Sequence, residues 1–284
     1  MEQLGAGAAA YLARQSGQET VAAGPSDHAA AAEFVHKTLV MGFRSAYLGA
    51  SVPNDLIAEY VARHGQIMIG IGAVDPTDRD ALSTAERLLE RPEFRGLTVS
   101  PSTQNFHPAD SRAMALYELC SRRNAPVFFC QGTHFPTLGR MEYARPHLLD
   151  EIAREFPSLT IVISSLGHPW IEEGIALAGK HARVFADVAG LIRRPWLAYN
   201  ALVASYQYNV TDKILFGSDF PFFTAAKAIE SIYRLHEMTA GTNLPNVPRE
   251  VLRTMVERDS LSLLGISRPG DAPVNQDVDE DEEI

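Results

Sequence analysis

Short apolar runs recur along this chain at intervals of 24 to 33 residues, with helix-period stretches between them. The runs read as strands are Phe43–Leu48, Ile67–Val74, Gly96–Val99, Val127–Cys130, Thr160–Ser165, Val184–Val188 and Lys213–Gly217. Each interval is the length of one strand, one helix and two short loops. Such spacing forces parallel strands joined by right-handed crossovers, with helices covering the sheet. The intervening stripes have the helical period: Ala113, Leu116, Tyr117 and Cys120 form one, Leu148, Leu149, Ile152 and Phe156 another, closed by Pro157. Ile171, Ile175 and Ala178 follow Pro169 in the same way, and Ile229, Ile232, Tyr233 and His236 mark a late helix.

An α/β series of this kind closes into a barrel or stays an open doubly wound sheet. No Gly-x-Gly-x-x-Gly follows a strand, which argues against a dinucleotide-binding open sheet. The expected fold is therefore a (β/α)8 barrel of the TIM type. Seven strands are evident, so the first is degenerate or missing, with Thr20–Ala23 the one weak candidate upstream.

Charge divides the chain into segments. Of the net charge of −10, −7 sits in residues 271–284, which hold seven acidic residues and no basic ones. The expected organisation is a poorly defined segment over 1–31, a barrel domain over 32–266 and a disordered acidic tail over 267–284. The body is not basic enough for nucleic acid, and no apolar run is long enough for a membrane span. The start lacks a basic and apolar leader, and Cys120 and Cys130 are too few for a disulfide framework, so a cytoplasmic location is expected.

In a barrel, chemistry gathers at the C-terminal ends of the strands. Four ends stand out: Gly96–Pro101, Pro126–His134, Ile161–Trp170 and Lys213–Pro221. Gly217-Ser218-Asp219-Phe220-Pro221 and Leu166-Gly167-His168-Pro169-Trp170 with Glu173 resemble the amidohydrolase-related family, which includes metal-dependent hydrolases and decarboxylases of the aminocarboxymuconate-semialdehyde type. Asn54–Pro76 and Leu263–Ile266 share the likeness, which spans about Ala32 to Ile266.

The resemblance implies a divalent ion, zinc or another, that activates water. The family pattern takes two histidines from a His-x-His ending the first strand, a third after the strand matching Val127–Cys130, a fourth before Leu-Gly-His-Pro-Trp, and the aspartate of Gly-Ser-Asp. This sequence contains no His-x-His, and Cys130 and Ser165 stand where the third and fourth histidines would fall. Asp219 is retained, and Thr98 stands where relatives often carry lysine. The first expectation is therefore a barrel without cofactor, a pseudoenzyme that binds a small ligand or partner at a mouth lined by Thr98, Cys130, His134, Ser165, His168 and Arg193. Arg193, Arg194 and Trp196 are read there as an anion-binding lip or a solvated loop. The alternative is an active hydrolase or decarboxylase whose metal is held by Asp219 with relocated ligands His134, His168 and Cys130. Cys130 with His134 as base, and Asp219 as a plain helix cap, are further readings. Pairing of two copies over an edge left by the missing strand gives a homodimer as a possible assembly.

Overall fold

The computed structural model describes residues 24–131, 136–269 and 271. Seven parallel strands form one sheet: β1 (Thr38–Met41), β4 (Met68–Ala73), β5 (Phe94–Val99), β6 (Val127–Phe129), β7 (Ile161–Ile163), β8 (Val184–Asp187) and β9 (Ile214–Leu215), hydrogen-bonded in that order. Two two-residue strands, β2 (Arg44–Ser45) and β3 (Ala50–Ser51), make a small antiparallel hairpin. The first sheet strand therefore lies upstream of the expected Phe43–Leu48. That segment holds the hairpin instead, because the chain has already left the sheet at Gly42, whose amide bonds Ile71 beyond β1. The other six expected strands each coincide with an observed one, five with trimmed ends and β5 starting two residues earlier, at Phe94. The weak candidate Thr20–Ala23 lies outside the described residues.

Strict alternation explains the curl. Val127, Phe129, Ile161, Ile163, Val184 and Ala186 pack outward against the helices. Ile71, Phe128, Val162, Phe185 and Leu215 point inward and touch one another across the sheet. Residues from β4 and β9, near opposite edges of the sheet, can share one cluster only if the sheet bends into a barrel. A register shift between Gly70 and Gly72 adds one residue to β5 opposite β4. The extra residue allows both Arg95 and Thr98, otherwise on opposite faces, to face the barrel axis.

The covering helices are α1 (Pro25–Ala31), α2 (Asn54–Arg63), α3 (Ala81–Glu90), α4 (Pro101–Gln104), α5 (Ser111–Arg122), α6 (Leu149–Glu155), α7 (Ile171–Lys180), α8 (Pro195–Gln207), α9 (Ala225–Arg234), α10 (Arg249–Glu257) and α11 (Ser260–Leu264). Their starts are chemically marked: Asp110, Thr224 and Asp259 accept backbone N–H bonds at the caps of α5, α9 and α11. No strand among the described residues pairs between β9 and β1. Helix α1 links the two sides, since His28 packs on Phe220 after β9 and bonds the Tyr60 hydroxyl of α2 at 2.8 Å.

The N-terminal end of the barrel is plugged. Asp259 starts α11, Gly265 ends it at φ 77°, and the chain turns so that Leu264 and Ile266 join the interior cluster. Beyond the plug, Asp271 is 7% exposed and ion-paired to Lys37 at 3.3 Å and to Arg95. Residues 272–284, the rest of the expected tail, lie outside the described residues.

Candidate functional site

The inward alternation continues one step beyond each core residue and sets a polar ring at the C-terminal mouth. Phe128 is followed two residues on by Cys130, Val162 by Ser164 and Phe185 by Asp187. Thr98 joins them, its Oγ1 3.1 Å from Cys130 Sγ. Ser164 lies beside the Cys130 thiol and, like Thr98, favours its ionised form.

Asp219 reaches the ring by a tight turn. Gly217 packs against Ala189, where a Cβ would stand 2.9 Å from the alanine methyl. Asp219 itself adopts φ 64°, a left-handed conformation that aspartate tolerates better than most residues. It does not cap the following helix; Thr224 does that. Burial raises the Asp219 carboxyl to about 7, with Arg193 and Arg194 opposing the shift and Asp187 adding to it. Its Oδ2 is buried without a hydrogen-bond partner. Asp187 is raised by burial to about 6, although it accepts the backbone N–H groups of Ser165 at 2.8 Å and Ala189 at 3.0 Å. Burial likewise pushes the Cys130 thiol up, and the nearby carboxyls of Asp187 and Asp219 push the same way.

A half-buried rim adjoins the ring. The Arg193 guanidinium lies over Phe222, 5.1 Å from the ring centroid, and burial together with Arg194 lowers its pKa. His168 is held toward the neutral form by burial and by Arg194, and its Nδ1 is buried without a partner. Thr98 meets Cys130, Asp219 lies near that thiol, and Arg193 lies near Asp219; His168 is near Arg194. Ser165 does not line the mouth as expected. It sits at φ 54° and donates its hydroxyl to the Ala189 carbonyl at 2.6 Å, so Ser164 is the serine facing the thiol. Trp196 is exposed on α8. His134 lies outside the described residues, and with it the proposed Cys130–His134 pairing.

Sequence reading missed Asp187 and Ser164. Asp187 was legible as the single acidic residue of the run Val184–Val188, two places after the inward Phe185. Ser164 follows from the same count from Val162. In the second motif, Glu173 is committed to Arg145 and His147, and Gly167 has no room for a Cβ beside Pro146. A separate cleft of about 170 Å³ opens beyond β4, lined by Arg44, Asp75, Asp78 and Asp80 among others. Its charges are largely engaged: Arg44 pairs with Asp78, and Asp75 accepts from Ala46 and Thr77.

A barrel with its polar groups at the C-terminal mouth is the enzyme-bearing form of the TIM fold. The amidohydrolase family profile matches residues 18–254, and the chain belongs to that family. Among solved structures it resembles an uncharacterized TIM-barrel protein from Bordetella bronchiseptica, at 21% identity and a TM-score of 0.67 over 85% of this chain and 81% of the other. It also resembles a dihydroxybenzoic acid decarboxylase from Polaromonas sp. with bound manganese and 2-nitroresorcinol, at 16% identity and 0.56 over 77% and 75%. A 2,6-dihydroxybenzoate decarboxylase from Rhizobium matches at 15% identity and 0.56 over 75% and 76%. No curated protein matches by sequence. At these identities the likeness establishes the fold.

The ring does not fit the divalent metal of the family chemistry. Its inward groups are the hydroxyls of Thr98 and Ser164, the thiol of Cys130 and the carboxyls of Asp187 and Asp219, with no imidazole among them. Zinc sites use at least three nitrogen, sulfur or carboxylate ligands in one closed geometry. Among the described residues no group of three or more His, Cys, Asp and Glu could hold an ion.

Proposed function

We propose that this protein is a metal-independent member of the amidohydrolase family, a pseudoenzyme whose barrel mouth binds a small anionic molecule. One observation carries the reading: the inward positions at the ends of β5, β6 and β7 hold Thr98, Cys130 and Ser164, with Thr98 bonded to the Cys130 thiol, where imidazoles would be needed. Arg193 and Arg194 supply positive charge beside Asp219. A protonated Asp219 can donate a hydrogen bond to an anion, which an ionised one cannot. Phe222 beneath Arg193 offers an apolar face to the same ligand. The paucity of cysteine supports a cytoplasmic setting, and strand edges that no described strand pairs support a homodimer.

The competing reading is an active hydrolase or decarboxylase that holds a divalent metal through Asp219. The manganese bound in the Polaromonas decarboxylase favours it. Metal analysis separates the two. The protein, grown with added zinc and manganese and then dialysed, is expected to retain far less than one equivalent, with no change in Asp219→Ala. Near-stoichiometric metal that disappears in Asp219→Ala overturns the proposal. For the ligand, 2,6-dihydroxybenzoate is a first probe: a thermal shift abolished by Arg193→Ala, without carbon dioxide release, is the expected result.

A further inference from the structure

The N-terminal end of the barrel carries six cations, the largely buried Lys37 and Arg95 with Arg183, Lys213, Arg258 and Arg268, against the carboxylates of Glu93, Asp212, Asp259 and Asp271. Lys37, Arg183 and Lys213 each stand immediately before a parallel strand, and Arg95 is the second residue of one. All six therefore gather at one end of the molecule. Most of their bonds go to backbone carbonyls, which satisfy donors without cancelling charge. Lys37 donates to Gln66 at 2.5 Å, Arg183 to Leu264 at 3.4 Å, Arg258 to Asp212 at 2.7 Å, Arg268 to Pro92 at 2.8 Å, and Lys213 to Ala182. Asp271 answers Lys37 and Arg95. Among the described residues, no carboxylate forms an ion pair with Arg183, Lys213, Arg258 or Arg268. The crowding is felt, since burial and then Arg95 lower the Arg268 pKa.

The chain leaves this same end at Asp271. Residues 272–284 follow, with Asp277, Asp279, Glu280, Asp281, Glu282 and Glu283 and no basic residue. Fully extended, they span about 40 Å. A domain of this size has a radius of gyration of roughly 19 Å, so the acidic run is long enough to reach the solvent-facing cations of that end. We infer that residues 277–283 dock back onto this basic face, making the tail an intramolecular electrostatic clamp opposite the ligand mouth. A short tether holds the run at millimolar effective concentration, so a weak site suffices.

The test uses a chain ending at Asp271, which keeps the Lys37–Asp271–Arg95 cluster, and a fluorescent peptide of residues 272–284. At about 20 mM salt the peptide is expected to bind the shortened chain saturably, and at about 300 mM at least tenfold more weakly. The full-length chain should bind it far less, because its own tail competes, and Lys213→Glu in the shortened chain should weaken it. No saturable binding at low salt, or equal binding by both chains, overturns the inference. So does a full-length dimer that the truncation converts to a monomer, which would assign the tail to a second copy. Independently of the truncation, amide shifts of residues 277–283 in the full-length protein should move with salt over the same range. Shifts that stay fixed overturn the inference as well.

Discussion

The two ends of this barrel treat their polar groups in opposite ways. At the N-terminal end, Asp271 is drawn well below the usual carboxylate range, to about 2, because Arg95, the Arg268 amide and Lys37 outweigh its burial. Arg95 also donates to the Ile266 carbonyl at 3.1 Å, so pair and plug are fastened together. At the C-terminal end, burial wins: Asp187 and Asp219 rise to about 6 and about 7, and Asp219 Oδ2 and His168 Nδ1 have no partner. Unmet buried polar groups cost stability. Arg258 Nε is also unmet at the N-terminal end, but at the mouth the unmet groups include a carboxyl and an imidazole, which marks it as the end less optimised for the fold itself. In barrels that is the end where function sits.

The largest effects should come from breaking the N-terminal end. Arg95→Ala leaves Asp271 buried with Lys37 as its remaining ion-pair partner and releases Ile266, and should cost about 3–5 kcal/mol in denaturant unfolding. A loss below 1 kcal/mol would make the pair a surface ornament and erase the contrast. The pair also has a pH signature. Asp271 is depressed when folded, so its contribution is present above about pH 4 and is lost as pH falls through about 2. The acid limb of an unfolding curve in Arg95→Ala should lie flatter than in the parent. Next in size is Leu264→Ala, which opens a cavity where the plug meets Phe128, Val162 and Phe185, for about 2–4 kcal/mol.

Strand positions were legible because period-2 burial is local: a run such as Val127–Cys130 declares itself wherever the chain places it. The first strand was not, since Phe43–Leu48 and Thr38–Met41 are both short and mixed, and only pairing with β4 decides between them. The plug had a local sign in Leu263–Ile266 but no stated role, because its partners lie as far away as Ile71. At the mouth, family likeness found Thr98, Cys130 and Asp219. It displaced the serine by one residue, because the backbone turns left-handed directly after β7, at Ser165 and Leu166. Counting inward residues from the core finds Ser164 and Asp187, and is the more dependable route here because side-chain direction is fixed by the pleat.

A smaller effect of opposite sign should come from the mouth. Asp219 is raised when folded, so the native state holds its proton between about pH 4 and about pH 7 while the unfolded chain has released it. Stability from this group therefore falls as pH rises through that window and stays low above it. Asp219→Asn removes the buried charge and should stabilise the protein above pH 7 by on the order of 1–2 kcal/mol, discounted because the carboxyl is partly exposed. At pH 4 it should change little. Destabilisation at pH 8 would mean that the carboxylate has a strong partner, as a metal site requires.

The finest distinction concerns Cys130. Reactivity follows the thiolate, and this thiol is held up by burial first and by two neighbouring carboxyls after it, with Thr98 and Ser164 pulling the other way. Cys120 is fully buried and pushed up to about 12, so alkylation of the folded protein reports on Cys130. At pH 7.5, labelling should run at least tenfold slower than in the unfolded chain, and Asp219→Asn should speed it by only about two- to threefold. Labelling as fast as a free thiol would place a thiolate inside the ring. A thiolate there is a metal ligand or a nucleophile, and the mouth would then be a working active site rather than a binding pocket.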